Sequence, residues 1–150
     1  MSVAFRRESD EEHLEPKFEL AIPPGPNLVT ARGLRLIDDK VATLEAALGG
    51  SDDEAVRREL RYWHTRRTTA VLAPPPSADE AAFGSRVTFR LNGQERRVDI
   101  VGTDEAEPDA GRIGFQAPLA RALIGAAPGE QVAFGGREDA IEVVAVGALG

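Results

Sequence analysis

The chain has 150 residues, of which 42% are hydrophobic and 29% charged, with a net charge of −7, two histidines and no cysteine. The lack of cysteine excludes disulfide frameworks, thiol catalysis and cysteine-based zinc sites, and two histidines argue against a histidine-ligated metal or a Ser-His-Asp triad. The acidic balance opposes a broad nucleic-acid surface, which needs clustered Lys and Arg, so we expect contact with nucleic acid only indirectly, through another protein. No apolar run approaches the ~20 residues that span a bilayer and the N-terminus lacks a secretory signal, so we expect a cytoplasmic protein with no membrane contact.

Residues 1–29 are predicted to form an extended or disordered leader. They are rich in charge and end in the proline-dense run Ile22–Asn27, where the prolines prevent helix formation. A solvated tail is favoured over a binding tail, and the role of the leader stays open.

The first predicted helix begins after Thr30, whose side chain suits an N-cap. It stops at Gly49-Gly50, because glycine readily takes the left-handed conformation found beyond a helix C-terminus. Its apolar residues recur at spacings of 3 and 4, the heptad pattern of a helix that packs lengthwise on another helix: Leu34, Ile37, Val41, Leu44 and Leu48.

A second helix is predicted to follow at once. Ser51 or Asp52 can serve as its N-cap, with Asp53 and Glu54 in the first turn, where carboxylates favour the positive end of the helix dipole. The helix is expected to end near Val71, before three consecutive prolines.

The loop between these helices is so short that they must run antiparallel. We therefore predict a helical hairpin over residues 30–73, with helices ~27–30 Å long, followed by a proline-rich linker over residues 74–80. The second helix carries five arginines: Arg57, Arg58, Arg61, Arg66 and Arg67. They are predicted to form a solvated face rather than a nucleic-acid patch, because Glu59 interrupts the run and the whole chain is acidic.

Residues 81–150 change from helical periodicity to alternation. Val87, Phe89 and Leu91 alternate with polar residues, and Asn92-Gly93 is a strong signal for a two-residue hairpin turn. Further strands are predicted near 98–100, 112–116, 131–134 and 140–146, with a helix from Pro118 to Ile124. The sum is an α+β fold, in which an antiparallel helical hairpin (a short coiled coil) precedes a mainly antiparallel β domain with one short helix.

Several segments resemble the bacterial Gre transcription elongation factors. IVGTDEA at residues 100–106 and APLARALIG at 117–125 correspond to the family's IVGxDEA and SP(L/M)AxAL(L/I)G, at much the same spacing. VTARGL at 29–34 is similar to the family's VTxxGxxKL, and RRELRYW at 57–63 matches the end of its second coil helix. The resemblance covers residues 29–150.

The resemblance implies an FKBP-like C-terminal domain that docks on the rim of the secondary channel of RNA polymerase, and a coil that enters the channel. In that family, acids at the coil tip help to hold a second Mg²⁺ and a water, so that the polymerase cleaves its own backtracked transcript. The polymerase-binding residues expected here surround the second matched motif: Phe115, Gln116, Ala117, Pro118, Leu119 and Arg121.

The chain departs from the family in two places. The family's coil is longer by several heptads, and its GDLxENAEY-like tip is absent here, so that the missing part falls at Gly49-Gly50. The family's SxxSP motif is replaced by Gly114–Pro118, with the loss of two hydroxyls.

Asp52, Asp53 and Glu54 remain weak candidates for metal-holding carboxylates at the hairpin tip, because helix capping accounts for all three without a partner. We therefore expect a monomer that is not an enzyme, has no cofactor, binds RNA polymerase at the secondary-channel rim and modulates elongation without stimulating transcript cleavage. Two alternatives stay open. One is an active cleavage factor that uses the Asp52–Glu54 tip, and the other is an interaction module for a protein other than the polymerase.

Overall fold

The computed structural model describes residues 19–149, which divide into two compact units. The hairpin unit comprises residues 19–25 and Ile37–Thr69, and the sheet unit comprises Pro26–Leu36 and residues 70–149. Most of the predicted leader, residues 1–18, lies outside the described residues, and the predicted domain limits stay predictions.

The first helix, α1, spans Ala31–Leu48, so its first turns belong to the sheet unit and the rest to the hairpin unit. The prediction that Thr30 caps this helix is confirmed, because the Gly33 N–H donates to Thr30 Oγ1 at 2.9 Å. The second helix, α2, spans Glu54–Thr69. Its cap is neither Ser51 nor Asp52.

Asp53 caps α2 instead, through Oδ1, which accepts from the N–H groups of Ala55 at 3.0 Å and Val56 at 3.3 Å. These bonds satisfy two of the backbone donors that a helix start leaves without an intrahelical partner. Asp53 therefore lies one position outside the helix rather than in its first turn, and Glu54 is the first-turn acid.

Within the hairpin unit, the two helices face each other through polar and apolar side chains. His64 Nε2 lies 3.6 Å from Glu45 Oε2, and Lys40 Nζ lies 5.8 Å from the centre of the Trp63 ring. The predicted solvated face is wrong at Arg66, which is only 3% exposed and lies over the Tyr62 ring. An aromatic neighbour compensates a buried guanidinium because the face of the ring carries negative charge density.

The sheet unit contains a five-stranded sheet in the order β5-β4-β3-β7-β6. Only the pair β4/β5 is parallel. The strand limits are Ser85–Leu91 for β3, Gln94–Val101 for β4, Arg112–Gly114 for β5, Gln131–Phe134 for β6 and Arg137–Ala148 for β7.

The turn between β3 and β4 sets the register of the sheet. Asn92 and Gly93 have φ of 53° and 77°, the left-handed values that a two-residue hairpin turn of this kind requires. Counting back from this turn places Arg86 opposite Asp99, and the guanidinium binds that carboxylate at 2.8 and 3.1 Å.

One face of the sheet is closed by the short helix α3, Pro118–Leu123. Ala120 and Leu123 of this helix are fully buried against the inward residues of β3, β4 and β7. Burial of such side chains is worth ~1.5–3 kcal/mol each, so this core fixes the position of α3 and of the loop before it. The predicted α+β fold class is confirmed, whereas its FKBP-like character stays a prediction.

A two-stranded parallel pair joins the start of the sheet unit to its Pro-rich segment. β1, Leu28–Val29, which the sequence assigned to the leader, pairs with β2, Val71–Leu72. The helix α2 ends at Thr69, just before Val71, near which the sequence placed its end. Gly102 allows β1 to approach, since a Cβ there would lie 2.4 Å from the Leu28 carbonyl oxygen.

Candidate functional site

The loop and helix of residues 115–121, which the sequence predicts to contact a partner, are held by backbone hydrogen bonds. Phe115 N–H donates to the Val101 carbonyl and Ala117 N–H to the Gly114 carbonyl, both at 2.9 Å. Pro118 is the first residue of α3, where its missing N–H costs nothing. The chain therefore enters the helix along one fixed path.

The six predicted contact residues divide by exposure. Phe115 and Leu119 pack against the core, and the Phe115 ring meets Phe83 edge to face at a centroid distance of 5.4 Å. The exposed members are Gln116, Pro118 and Arg121, and Ala117 is half-buried. The loop thus has an inner side that anchors it and an outer side that a partner can reach.

The acids of the hairpin tip are engaged by neighbouring groups. Asp52 Oδ1 pairs with Arg57 at 2.5 Å, and Glu54 Oε2 pairs with Arg61 at 3.0 Å. Asp53 uses Oδ1 as the cap of α2. Among residues 19–149 no group of three or more carboxylates and imidazoles is placed to hold a metal ion, and the metal role of the tip acids stays a prediction.

A side-chain cluster that the sequence did not predict lies at the root of α1, entirely within the sheet unit. Glu105, only 5% exposed, accepts a hydrogen bond from Thr30 Oγ1 at 2.5 Å and pairs with Arg32 Nη1 at 3.1 Å. Gly33 lies against the same carboxylate, because a Cβ there would be 2.9 Å from Glu105 Oε1. We call Glu105, Thr30, Arg32 and Gly33 the root cluster. It places a negative charge at the positive end of α1.

The Arg86–Asp99 pair is a second charge contact of the sheet unit. Arg86 is about two-fifths exposed, at 41%, and Asp99 17%. The hydrogen bond to Asp99, together with its charge, raises the pKa of Arg86 above its ordinary value. Arg86 therefore stays charged beside the carboxylate that it binds.

Comparison with known proteins shows which family most of the sheet unit resembles. Residues 76–147 match the family model "Transcription elongation factor, GreA/GreB, C-term". Over 98 residues the chain is 36% identical to the transcription elongation factor GreB of Neisseria meningitidis serogroup A, a match that covers 61% of this chain and 60% of that protein. It is 47% identical over 64 residues to GreA of Thermomicrobium roseum, covering 41% of each.

Among solved structures, GreA factor homolog 1 of Thermus thermophilus covers 83% of this chain at 19% identity, with a TM-score of 0.41. At that TM-score the likeness supports no further conclusion. The aligned region spans about 60% of the length of the first curated relatives it matches.

The matched region carries α3, its exposed loop and the sheet behind them, so this part of the sheet unit is similar to the C-terminal domain of the GreA/GreB factors. These matches confirm the resemblance to the GreA/GreB family that the motifs predicted.

The named relatives correct one prediction. The sequence led us to expect that the chain is not an enzyme, on the ground that its coil is short. The relatives are named as transcription elongation factors GreA, the class for which the resemblance implies stimulated transcript cleavage. The prediction that the chain is not an enzyme is therefore wrong, and stimulation of cleavage becomes a matter for measurement.

Proposed function

We propose that the chain binds RNA polymerase through the outer side of residues 115–121 and modulates transcription elongation. The observation that carries the proposal is that three predicted contact residues, Gln116, Pro118 and Arg121, are exposed on a loop fixed by a buried core. That loop lies inside the region that matches the Gre C-terminal family model.

The arrangement of buried and exposed side chains in α3 supports this proposal. Ala120 and Leu123 hold the helix on the sheet, while Arg121, between them in sequence, is exposed. An arginine on an ordered surface is often a hot spot of a protein interface, because its planar guanidinium offers several N–H donors and loses little conformational entropy on binding. The proposed contact is the rim of the secondary channel, reached in the cytoplasm by a monomer of this chain.

Binding to purified RNA polymerase tests the proposal. The double variant Pro118→Ala, Arg121→Glu should weaken binding about tenfold or more, as the loss of a binding hot spot does. The matched control is Arg96→Glu, which reverses an exposed arginine of β4 outside the loop and should leave affinity unchanged within about twofold. The proposal fails if the unaltered chain does not bind at micromolar concentration, or if the loop variant and the control bind alike.

Stimulated cleavage of a backtracked transcript is the second function to test, because the matching relatives are named as elongation factors GreA and GreB. In a stalled complex, addition of the chain would shorten the transcript, and Asp52→Ala with Asp53→Ala would abolish that effect if the tip acts. The same assay on the loop variant separates loss of binding from loss of chemistry. A pull-down from lysate that recovers another protein and no polymerase subunit favours the interaction-module alternative instead.

A further inference from the structure

The sheet unit contains a groove of about 430 Å³ whose lining does not include the exposed side chains of α3. Its apolar lining comes from the segment after β2 and from the ends of the sheet: Leu72, Pro74, Pro75, Pro76, Phe83 and Leu149. Leu72 is 57% exposed and Val71, beside it, 55%, so this apolar surface is left uncovered among the described residues. The volume lies within the ~300–1,000 Å³ range of ligand-binding clefts.

The Pro-rich wall of the groove is rigid. Prolines 74–76 have restricted φ, and the ring of Pro76 lies against Gly84, where a Cβ would be 3.5 Å from Pro76 Cδ. Phe83 is fixed by its edge-to-face contact with Phe115. A wall that is ordered before binding loses little conformational entropy when a ligand arrives.

The charges around the groove favour an acidic occupant. The groove is lined by three arginines, Arg32, Arg35 and Arg112. Its lining contains two carboxylates, Asp99 and Glu105. Asp99 pairs with Arg86, and Glu105 pairs with Arg32, so the Arg32–Glu105 pair adds no net charge to the groove. Arg112 pairs with an exposed glutamate outside the lining, at position 107.

Arg35 makes no ion pair with any residue among 19–149 and is exposed at the edge of the groove. It therefore adds uncompensated positive charge beside an apolar surface, on a chain whose net charge is −7. A nucleic acid fits this surface poorly, because the unpaired cations are few.

We propose that this groove binds an extended segment of a partner protein in which apolar side chains are flanked by carboxylates. The apolar side chains lie on Leu72, the proline wall and Phe83, and a carboxylate pairs with Arg35. This inference goes beyond polymerase binding through residues 115–121 and does not depend on it.

The test uses the whole chain and a fluorescent synthetic peptide of sequence DDLLDD, with KKLLKK as its charge-reversed counterpart. The acidic peptide should bind with a Kd of about 100 µM or below, ordinary for a short segment held by two apolar side chains and a charge, and should weaken as salt is added. Amide shifts in the NMR spectrum should change at Ala73, Phe83 and Leu149. No polymerase is present, so failure here is distinct from failure of the proposed function.

Arg35→Glu and Leu72→Ser should each weaken binding of the acidic peptide about fivefold, and both residues are exposed enough to be replaced without loss of the fold. Arg96→Glu is the matched control and should change the Kd less than twofold. The proposal is overturned if DDLLDD does not bind at about 1 mM. Equal binding of KKLLKK, equal losses in Arg35→Glu and Arg96→Glu, or shift changes confined to α3 would each overturn it as well.

Discussion

Replacing Glu105 by alanine should release the first turn of α1 from the sheet unit. The carboxylate is buried, accepts a hydrogen bond from Thr30 Oγ1 and pairs with Arg32. Thr30 in turn uses Oγ1 to cap Gly33 N–H. One side chain from the loop after β4 thus organises the start of a helix that lies more than 70 residues earlier in the chain, at a separation of 75 positions from Thr30.

The size of the effect follows from these two contacts. A hydrogen bond to a charged group is worth ~1.5–3 kcal/mol, and a pair with a half-exposed arginine is worth ~0.2–1 kcal/mol after solvent screening. Glu105→Ala should therefore destabilise the root of α1 by about 2–4 kcal/mol, since Arg32 is 50% exposed and the carboxylate only 3%. Glu105→Gln should cost less, because its amide oxygen still accepts from Thr30.

Amide hydrogen exchange measures this loss locally, which suits a chain of two units whose unfolding need not be a single transition. The amides of Gly33 and Leu34, both bonded to Thr30, should exchange roughly 30-fold faster or more in Glu105→Ala. Glu95→Ala is the control, as this glutamate is exposed and lies 3.7 Å from Arg90. Equal exchange rates in the two variants would refute the structural role assigned to Glu105.

The remaining predictions concern the hairpin unit. Asp53→Ala should lower the stability of α2 by ~1 kcal/mol, because the helix loses its cap, and urea titrations should show lower helicity. Asp52→Ala should lower the stability by under ~0.5 kcal/mol, because it removes only an exposed ion pair. Equal losses in the two variants would contradict the assignment of Asp53 as the cap. The hydrogen bond from Arg61 lowers the pKa of Glu19 below its usual 4.5, so the pair stabilises the fold above that pH and the contribution fades as pH falls through the lowered value. Arg61→Gln should raise the pKa of Glu19 in an NMR titration, and an unchanged pKa would show that the pair does not form in solution.

The sheet could be predicted from the sequence because its signals are local. Asn92-Gly93 marks the hairpin turn, and the turn alone fixes the pairing of β3 with β4, including Arg86 opposite Asp99. Pro118 marks the start of α3 in the same way. These elements follow from φ preferences and alternation, which a single sequence displays.

The features that the sequence missed depend on contacts between distant segments. The pairing of Leu28–Val29 with Val71–Leu72 joins two segments too short to show periodicity. Burial of Arg66 depends on how its helix packs, which charge patterning does not display. The cap of α2 was misplaced by one or two positions among Ser51, Asp52 and Asp53, since each is an acceptable N-cap by residue type.

Substituting Gly33 by alanine gives the strongest test of the root cluster, because the expected sign of the effect depends on Glu105. Alanine within a helix is usually favoured over glycine by ~0.5–1 kcal/mol, yet here its Cβ would lie 2.9 Å from Glu105 Oε1, an atom held in place by Thr30. Gly33→Ala should therefore destabilise the unaltered chain and stabilise the Glu105→Ala variant, as measured by exchange of the Leu34 amide. The same sign in both backgrounds would rule out the contact.

That outcome also decides how the family motifs are to be understood. If the sign reverses, the resemblance at residues 29–34 and 100–106 is accounted for by one internal contact, Thr30 and Gly33 against Glu105, and carries no information about a partner. The case for polymerase binding would then depend on the exposed side chains of the α3 loop, Gln116, Pro118 and Arg121. Stability variants at the root and binding variants at the loop therefore separate the part of the family resemblance that maintains the fold from the part that serves recognition.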